Sequence, residues 1–227
     1  MIIPKNIHDS LDSKNKNVAL ILGKYITTGL GVSRCLGEKN IPIFWLDCNP
    51  YQAGFLSKYC YGILSPDPKK NESKFVNFLI SIGRELKNKG VLFPIGDIEV
   101  ISILKNKKKL SQYYHIPIAD YKITDILLDK KKFYSYLKNL DISYPKTYNI
   151  ENLSELKKMT KKINFPCIVK PTNSEYFRNV FNKKFFYAEN SRQLLKNYKK
   201  AISQDLDVFI QEIIPGDPRC MYGLNAY

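Results

Sequence analysis

Phe165-Pro-Cys-Ile-Val-Lys170-Pro171 is a short apolar run that closes on a single lysine and a proline. Its length and content read as a buried strand. The lysine at its end must extend into a cleft or meet an anion, because burying an unpaired ammonium is costly. Further along, Val208-Phe-Ile-Gln211-Glu212-Ile-Ile-Pro215-Gly216 carries an apolar strand into a polar pair, an apolar pair and a turn. That order sets backbone N–H and C=O groups beside apolar walls, the surroundings an adenine-type ring requires. Between the two segments, Thr172-Asn-Ser-Glu-Tyr-Phe-Arg178 is polar and is expected to be a mobile lid over phosphates. Upstream, Asp129-Lys130 opens a helix whose lysine can point into the same cleft.

Working outward, a helical stretch is expected over 124–140 and a second over 153–163, with strands at 184–188 and 208–211 and a helix at 191–203 between them. The preceding part has a different rhythm. Val18-Ala-Leu-Ile-Leu22 and Ile41-Pro-Ile-Phe-Trp-Leu46 are continuous apolar runs, as strands buried on both faces are. A helix to about Asn40 separates them, and a short strand is expected over 61–64. Phe75, Phe78, Leu79, Ile82 and Leu86 recur at helical spacing before Gly90, which stops the helix. Val91-Leu-Phe-Pro94 is the next strand, and helix resumes over 98–104. Strand and helix in alternation imply a mostly parallel sheet with helices on both faces. The expected organisation is a loose polar arm over 1–17, an α/β unit over 18–121 and a second unit over 122–227.

The loop after the first strand contains Gly29-Leu-Gly31-Val-Ser-Arg34. A dinucleotide site needs G-x-G-x-x-G held tightly between strand and helix, so that backbone N–H groups reach the pyrophosphate. Here an arginine replaces the third glycine and the turn is long, although Asp47 ends the second strand where a ribose-binding acid would sit. The alternative is that Gly29 and Gly31 only serve the turn.

The bulk numbers exclude several classes. At 44% hydrophobic and 25% charged, the 227 residues suit a soluble globular protein. No apolar run reaches the roughly 18 to 20 residues of a membrane span. Residues 1–18 show no apolar signal-peptide core, and five widely spaced cysteines without a C-x-x-C pair suit reduced thiols, so a cytoplasmic location is expected. The net charge of +15 comes largely from short lysine runs on helix faces, so nucleic acid is not the expected partner. A positive field of this kind draws anionic ligands toward a cleft.

Asp129-Lys130, Ile142-Ser-Tyr-Pro145, Phe-Pro-Cys-Ile-Val-Lys170-Pro and Phe-Ile-Gln211-Glu212-Ile-Ile-Pro-Gly216, in this order and spacing, resemble the ATP-grasp superfamily. The nearest likeness is to carboxylate–amine ligase-like members whose lead-in domain carries segments like Gly29-Leu-Gly-Val-Ser-Arg34 and Leu92-Phe-Pro-Ile-Gly-Asp97. The resemblance implies a Rossmann-like lead-in domain followed by the first α+β half of an ATP-grasp fold. It implies that Lys130 and Lys170 contact ATP phosphates, with Lys184 a further phosphate candidate. It also implies that Gln211, Glu212 and Ile214 read the adenine edge, and that Asp217 reaches the ribose.

Such enzymes use ATP and Mg2+ to make an acyl phosphate from a carboxylate, which an amine then attacks. Their magnesium ligands lie downstream of the hinge, whereas this chain ends eleven residues after Gly216. The expectation is therefore a truncated ATP-grasp protein whose 227 residues alone lack ligase activity. An unpaired sheet edge left just after 208–211 is expected to make it self-associate. A non-catalytic nucleotide-binding module and a dinucleotide-dependent oxidoreductase stand as the alternatives.

Overall fold

The structure, a computed structural model, describes residues 17–172, 174–220 and 222–223. Apart from Asn17, the expected N-terminal arm lies outside the described residues. The chain divides into two compact units, Met1–Asp125 and Ile126–Tyr227.

In the first unit β1 (Ala19–Leu22), β2 (Ile43–Asp47), β3 (Tyr61–Leu64), β4 (Gly90–Pro94) and β5 (Tyr114–His115) form a parallel sheet in the order β3-β2-β1-β4-β5. The central strands β1 and β2 read as nearly unbroken apolar runs because each face has its own core. Leu20, Leu22, Phe44, Leu46 and Leu92 point to one side, against Phe75, Val76, Leu79 and Ile82 of helix α2 (Glu72–Glu85). Ala19, Ile21, Ile43 and Trp45 point to the other, against Leu30, Val32 and Leu36 of helix α1 (Ile26–Gly37). Helices α3 (Asp97–Lys105) and α4 (Lys107–Leu110) follow β4. The side chain of Asn71 starts α2 by accepting from the Lys74 N–H at 2.8 Å.

Trp45 explains the glycine loop. A Cβ on Gly29 would come within 2.2 Å of the indole ring, and one on Gly54, across the ring, within 2.4 Å. The indole Nε1 donates to the Gly23 carbonyl at 3.0 Å, which ties the turn to β2. Gly31 has nothing within 4 Å of its would-be Cβ. Gly29→Ala should therefore destabilise the fold by about 1–3 kcal/mol through overpacking. Gly31→Ala, on the open side of a helix, should be neutral or stabilising by up to about 1 kcal/mol. Urea unfolding of the two variants beside wild type checks the contrast.

The division between the units falls within helix α5 (Tyr121–Leu128). In the second unit β6 (Thr147–Asn149), β7 (Cys167–Pro171), β8 (Phe186–Ala188) and β9 (Val208–Glu212) form an antiparallel sheet ordered β6-β9-β7-β8. Cys167, Val169, Ala188, Val208 and Ile210 enter one core with Leu156 of helix α7 (Leu153–Met159) and Leu194, Tyr198 and Ala201 of helix α9 (Ser191–Ile202). Both helices start with reciprocal caps. Asn152 accepts from the Glu155 N–H at 2.9 Å while Glu155 accepts from Glu151 at 2.8 Å. Asn190 likewise accepts from the Gln193 N–H at 3.0 Å while Gln193 Oε1 accepts from the Glu189 N–H at 2.9 Å.

The helical stretch 124–140 is α5 and then α6 (Lys130–Asn139), which opens at Asp129-Lys130 as expected, the Asp129 carboxylate accepting from Lys131 and Lys132. Two expectations need correction here. The strand 208–212 is not an edge: β9 is paired on both sides, by β6 and β7, so it leaves no open ladder. The stretch expected to be a lid, 172–178, runs into helix α8 (Ser174–Phe181), whose Phe177 is fully buried and meets Phe181 and Phe186 with ring centroids 4.9 Å away. A polar composition hid one apolar face of a helix.

Cys35, Cys48 and Cys220 are exposed and Cys60 and Cys167 buried, all as free thiols. Burial pushes the Cys167 thiol up to about 11 and raises Cys60 as well. Cys48 is raised by partial burial first and then by the charges of Asp67 and Asp47. A disulfide-exchange reagent should thus titrate three thiols in the native chain, with Cys48 lagging at neutral pH, and the other two only after unfolding.

Candidate functional site

The sheet of the second unit has a second face. Alternation along β7 and β9 that sends Val169 and Ile210 into the core sends Ile168, Lys170, Phe209 and Gln211 the other way. Register sets Lys170 opposite Phe209, and Gln211 between Ile168 and Thr147. The residues that the sequence separates widely therefore meet on three adjacent strands.

Lys170 is half-buried, and among the described residues it makes no ion pair. Its ammonium donates to the Gln211 Oε1 at 3.2 Å and lies 6.0 Å and 5.9 Å from the ring centroids of Tyr134 and Phe209. Gln211 is buried and donates to the Thr147 Oγ1 at 2.9 Å, and Thr147 donates to the Pro145 carbonyl at 2.8 Å. Tyr134, from α6, stacks on Tyr144 at 5.7 Å and meets Phe209 edge-on at 6.0 Å. The result is one cation held by a neutral amide and aromatic faces, with no carboxylate paired to it among the described residues. Such a group stabilises an arriving anion.

The other expected site residues are less closely joined. Lys130 opens α6 and donates to the Thr172 carbonyl at 3.1 Å and to Ser174 Oγ at 3.3 Å, where β7 gives way to α8. Beside it Lys131 pairs with Asp207 at 2.6 Å, and Asp207 also accepts from Thr172 Oγ1 at 2.9 Å. Glu212 ends β9, and its carboxylate accepts from the Lys146 N–H at 2.7 Å. Ile214 is 61% exposed, so its side chain has no packing role to explain its position. Asp217 is paired with Arg219, whose hydrogen bond holds its carboxyl below the usual value. Lys184 is exposed between α8 and β8. Sequence reasoning missed Thr147, Tyr134 and Phe209. Tyr134 was findable, four residues after Lys130 on one helix face; Thr147 was not, because its link to Gln211 exists only through strand register.

In the first unit Asp47 does not present a carboxylate to a ribose. It is buried, with one oxygen accepting from Asn49 N at 2.7 Å and the other from Gln52 Nε2 at 2.8 Å. Gly29 and Gly31 lie within α1 and not in a phosphate-binding loop; Gly29 packs against Trp45, and Gly31 meets nothing within 4 Å. Among the described residues no three His, Cys, Asp or Glu side chains gather as metal ligands would, and no helix is long and apolar enough to cross a membrane.

No protein-family model matches the chain. It is 29% identical over 167 residues to a D-aspartate ligase of Enterococcus faecium (strain Aus0004), covering 67% of this chain and 39% of that protein. In fold it is similar to the N5-carboxyaminoimidazole synthetase of Staphylococcus aureus, solved with ADP, at a TM-score of 0.65 and 14% identity over 87% of this chain and 48% of that one. It is also similar to an L-amino acid ligase from Bacillus licheniformis, at a TM-score of 0.57 and 14% identity over 86% of this chain and 43% of that one. The chain has the N-terminal half of the ATP-grasp fold. It spans about half the length of these ATP-grasp structures and 39% of the curated relative.

Proposed function

We propose that the second unit binds the phosphates of ATP at Lys170, and that the chain is the nucleotide-binding front of an ATP-dependent carboxylate–amine ligase. The observation that carries this reading is the half-buried Lys170 ammonium, which has an amide and two rings around it and no carboxylate among the described residues. Ile168 on the same sheet face supplies apolar surface next to the cation, as a nucleobase beside its phosphates requires. Glu212 and Ile214, where β9 leaves the sheet, are the proposed adenine contacts. Lys130, Lys184 and Asp217 are proposed to join the phosphates and ribose.

In the reaction proposed, a substrate carboxylate oxygen attacks the γ-phosphorus of ATP and the bond to the β-phosphate oxygen breaks, leaving ADP and an acyl phosphate. An amine then attacks the acyl carbon, and phosphate and a proton depart. Lys170 serves this by fixing the phosphates and offsetting their charge, which is positioning and electrostatic work. Mg2+, when bound, would offset charge on the phosphates; among the described residues no three His, Cys, Asp or Glu side chains converge to hold it.

The similarity to a D-aspartate ligase and an L-amino acid ligase supports an amino acid as one substrate. The first test is calorimetric titration of the chain with ADP, wild type beside Lys170→Ala. Binding that requires Lys170 supports the reading, and NAD binding without ADP binding would overturn it.

A further inference from the structure

We infer that Thr147 is a positioning residue for Lys170, acting through the side-chain amide of Gln211; this rests on the nucleotide-binding reading above. The argument is one of donors and acceptors. The Pro145 carbonyl can only accept, and it takes the single hydroxyl proton of Thr147 at 2.8 Å. The Thr147 oxygen is then left to accept, and it receives the NH2 of Gln211 at 2.9 Å. The amide is thereby oriented with its carbonyl oxygen toward Lys170, which can only donate, at 3.2 Å. The chain closes consistently from both ends. Turned over, the amide would set NH2 against NH3+ and C=O against a hydroxyl whose proton is directed elsewhere.

Burial makes the orientation matter. Gln211 is 4% exposed, so water has little room to replace a lost partner. Thr147 and Gln211 are also register partners on β6 and β9, which fixes their spacing through the backbone. The chemistry of the residue at 211 then becomes specific. A neutral acceptor holds the ammonium in place by one of its three protons and leaves its charge whole for a phosphate. A carboxylate at the same position would hold it equally well but would compete with the phosphate for the charge.

The test is ADP affinity by calorimetry on the full chain, with melting temperature measured in parallel. Thr147→Val, nearly isosteric, removes the hydroxyl; ADP affinity should fall about 5-fold, as for one buried hydrogen bond. Thr147→Ser keeps the hydroxyl and should stay near wild type. Gln211→Glu should weaken ADP by at least about 10-fold while the fold is retained, since the ammonium is then paired. If Thr147 has only a structural role, Thr147→Val lowers the melting temperature and leaves ADP affinity unchanged, and that result overturns this inference alone. Failure of Thr147→Ser to match wild type would overturn it too. A wild-type chain that binds no ADP overturns the nucleotide reading itself, and this inference with it.

Discussion

Lys170→Ala should remove about half or more of the stabilisation that ADP gives the wild-type chain. A ligand at a hundred times its Kd stabilises the native state by about 2.7 kcal/mol. For a protein of this size that is on the order of 5 to 10 °C in melting temperature. Loss of one charge-assisted contact costs about 1.5–3 kcal/mol, which raises the Kd about 10- to 100-fold. At the same ADP concentration the stabilisation then falls to between about 1.4 and about 0.4 kcal/mol, roughly half to a sixth of the wild-type shift. Alanine also removes the alkyl stem that lies against Tyr134 and Phe209, so Lys170→Met is the proper companion. It keeps the packing and loses the charge, and it should bind ADP as poorly as the alanine variant. Thermal scans with and without ADP decide the matter: an undiminished shift in either variant would sink the phosphate role of Lys170.

Phe177→Ala should destabilise the second unit by about 3–5 kcal/mol, the usual cost of emptying a buried phenylalanine site. Set against the roughly 5–15 kcal/mol by which whole domains are stable, this is a large fraction. Phe177 is fully buried, and its ring makes edge contacts at 4.9 Å with both Phe181 and Phe186, themselves 4.8 Å apart. The cavity would open at the junction of α8 with β8. Val180, on the exposed side of the same helix, offers the contrast, and Val180→Ala should stay within about 0.5 kcal/mol of wild type. Urea unfolding measures both. A Phe177→Ala variant as stable as wild type would mean that residues 174–181 do not pack as a core helix, and would restore the lid reading.

Much of this architecture was legible in the chain as written. Ala19–Leu22 and Ile43–Asp47 are too apolar for a strand with a wet face, and burial on both sides follows from that alone. Phe75, Leu79 and Ile82 lie at a helix's own period and enter the core as that period requires. The lysine ending an apolar strand at 170 was legible as a charge without a local partner, and the structure half-buries it with no ion pair among the described residues.

What the sequence determined by itself is the set of properties carried by local spacing: which residues share a face, where helices start, and which charged group is stranded at the end of a buried strand. Tertiary structure decided the rest. It set β9 between β6 and β7, where the linear order suggested an edge. It packed Trp45 against both Gly29 and Gly54, turning an apparent dinucleotide loop into a packing requirement. It brought Thr147 opposite Gln211, so that an unremarked threonine orients the amide that holds Lys170. The physical reason is that side-chain periodicity belongs to a segment, whereas strand partners and register belong to pairs of segments far apart in the chain. Those pairings are selected only when whole faces are buried together.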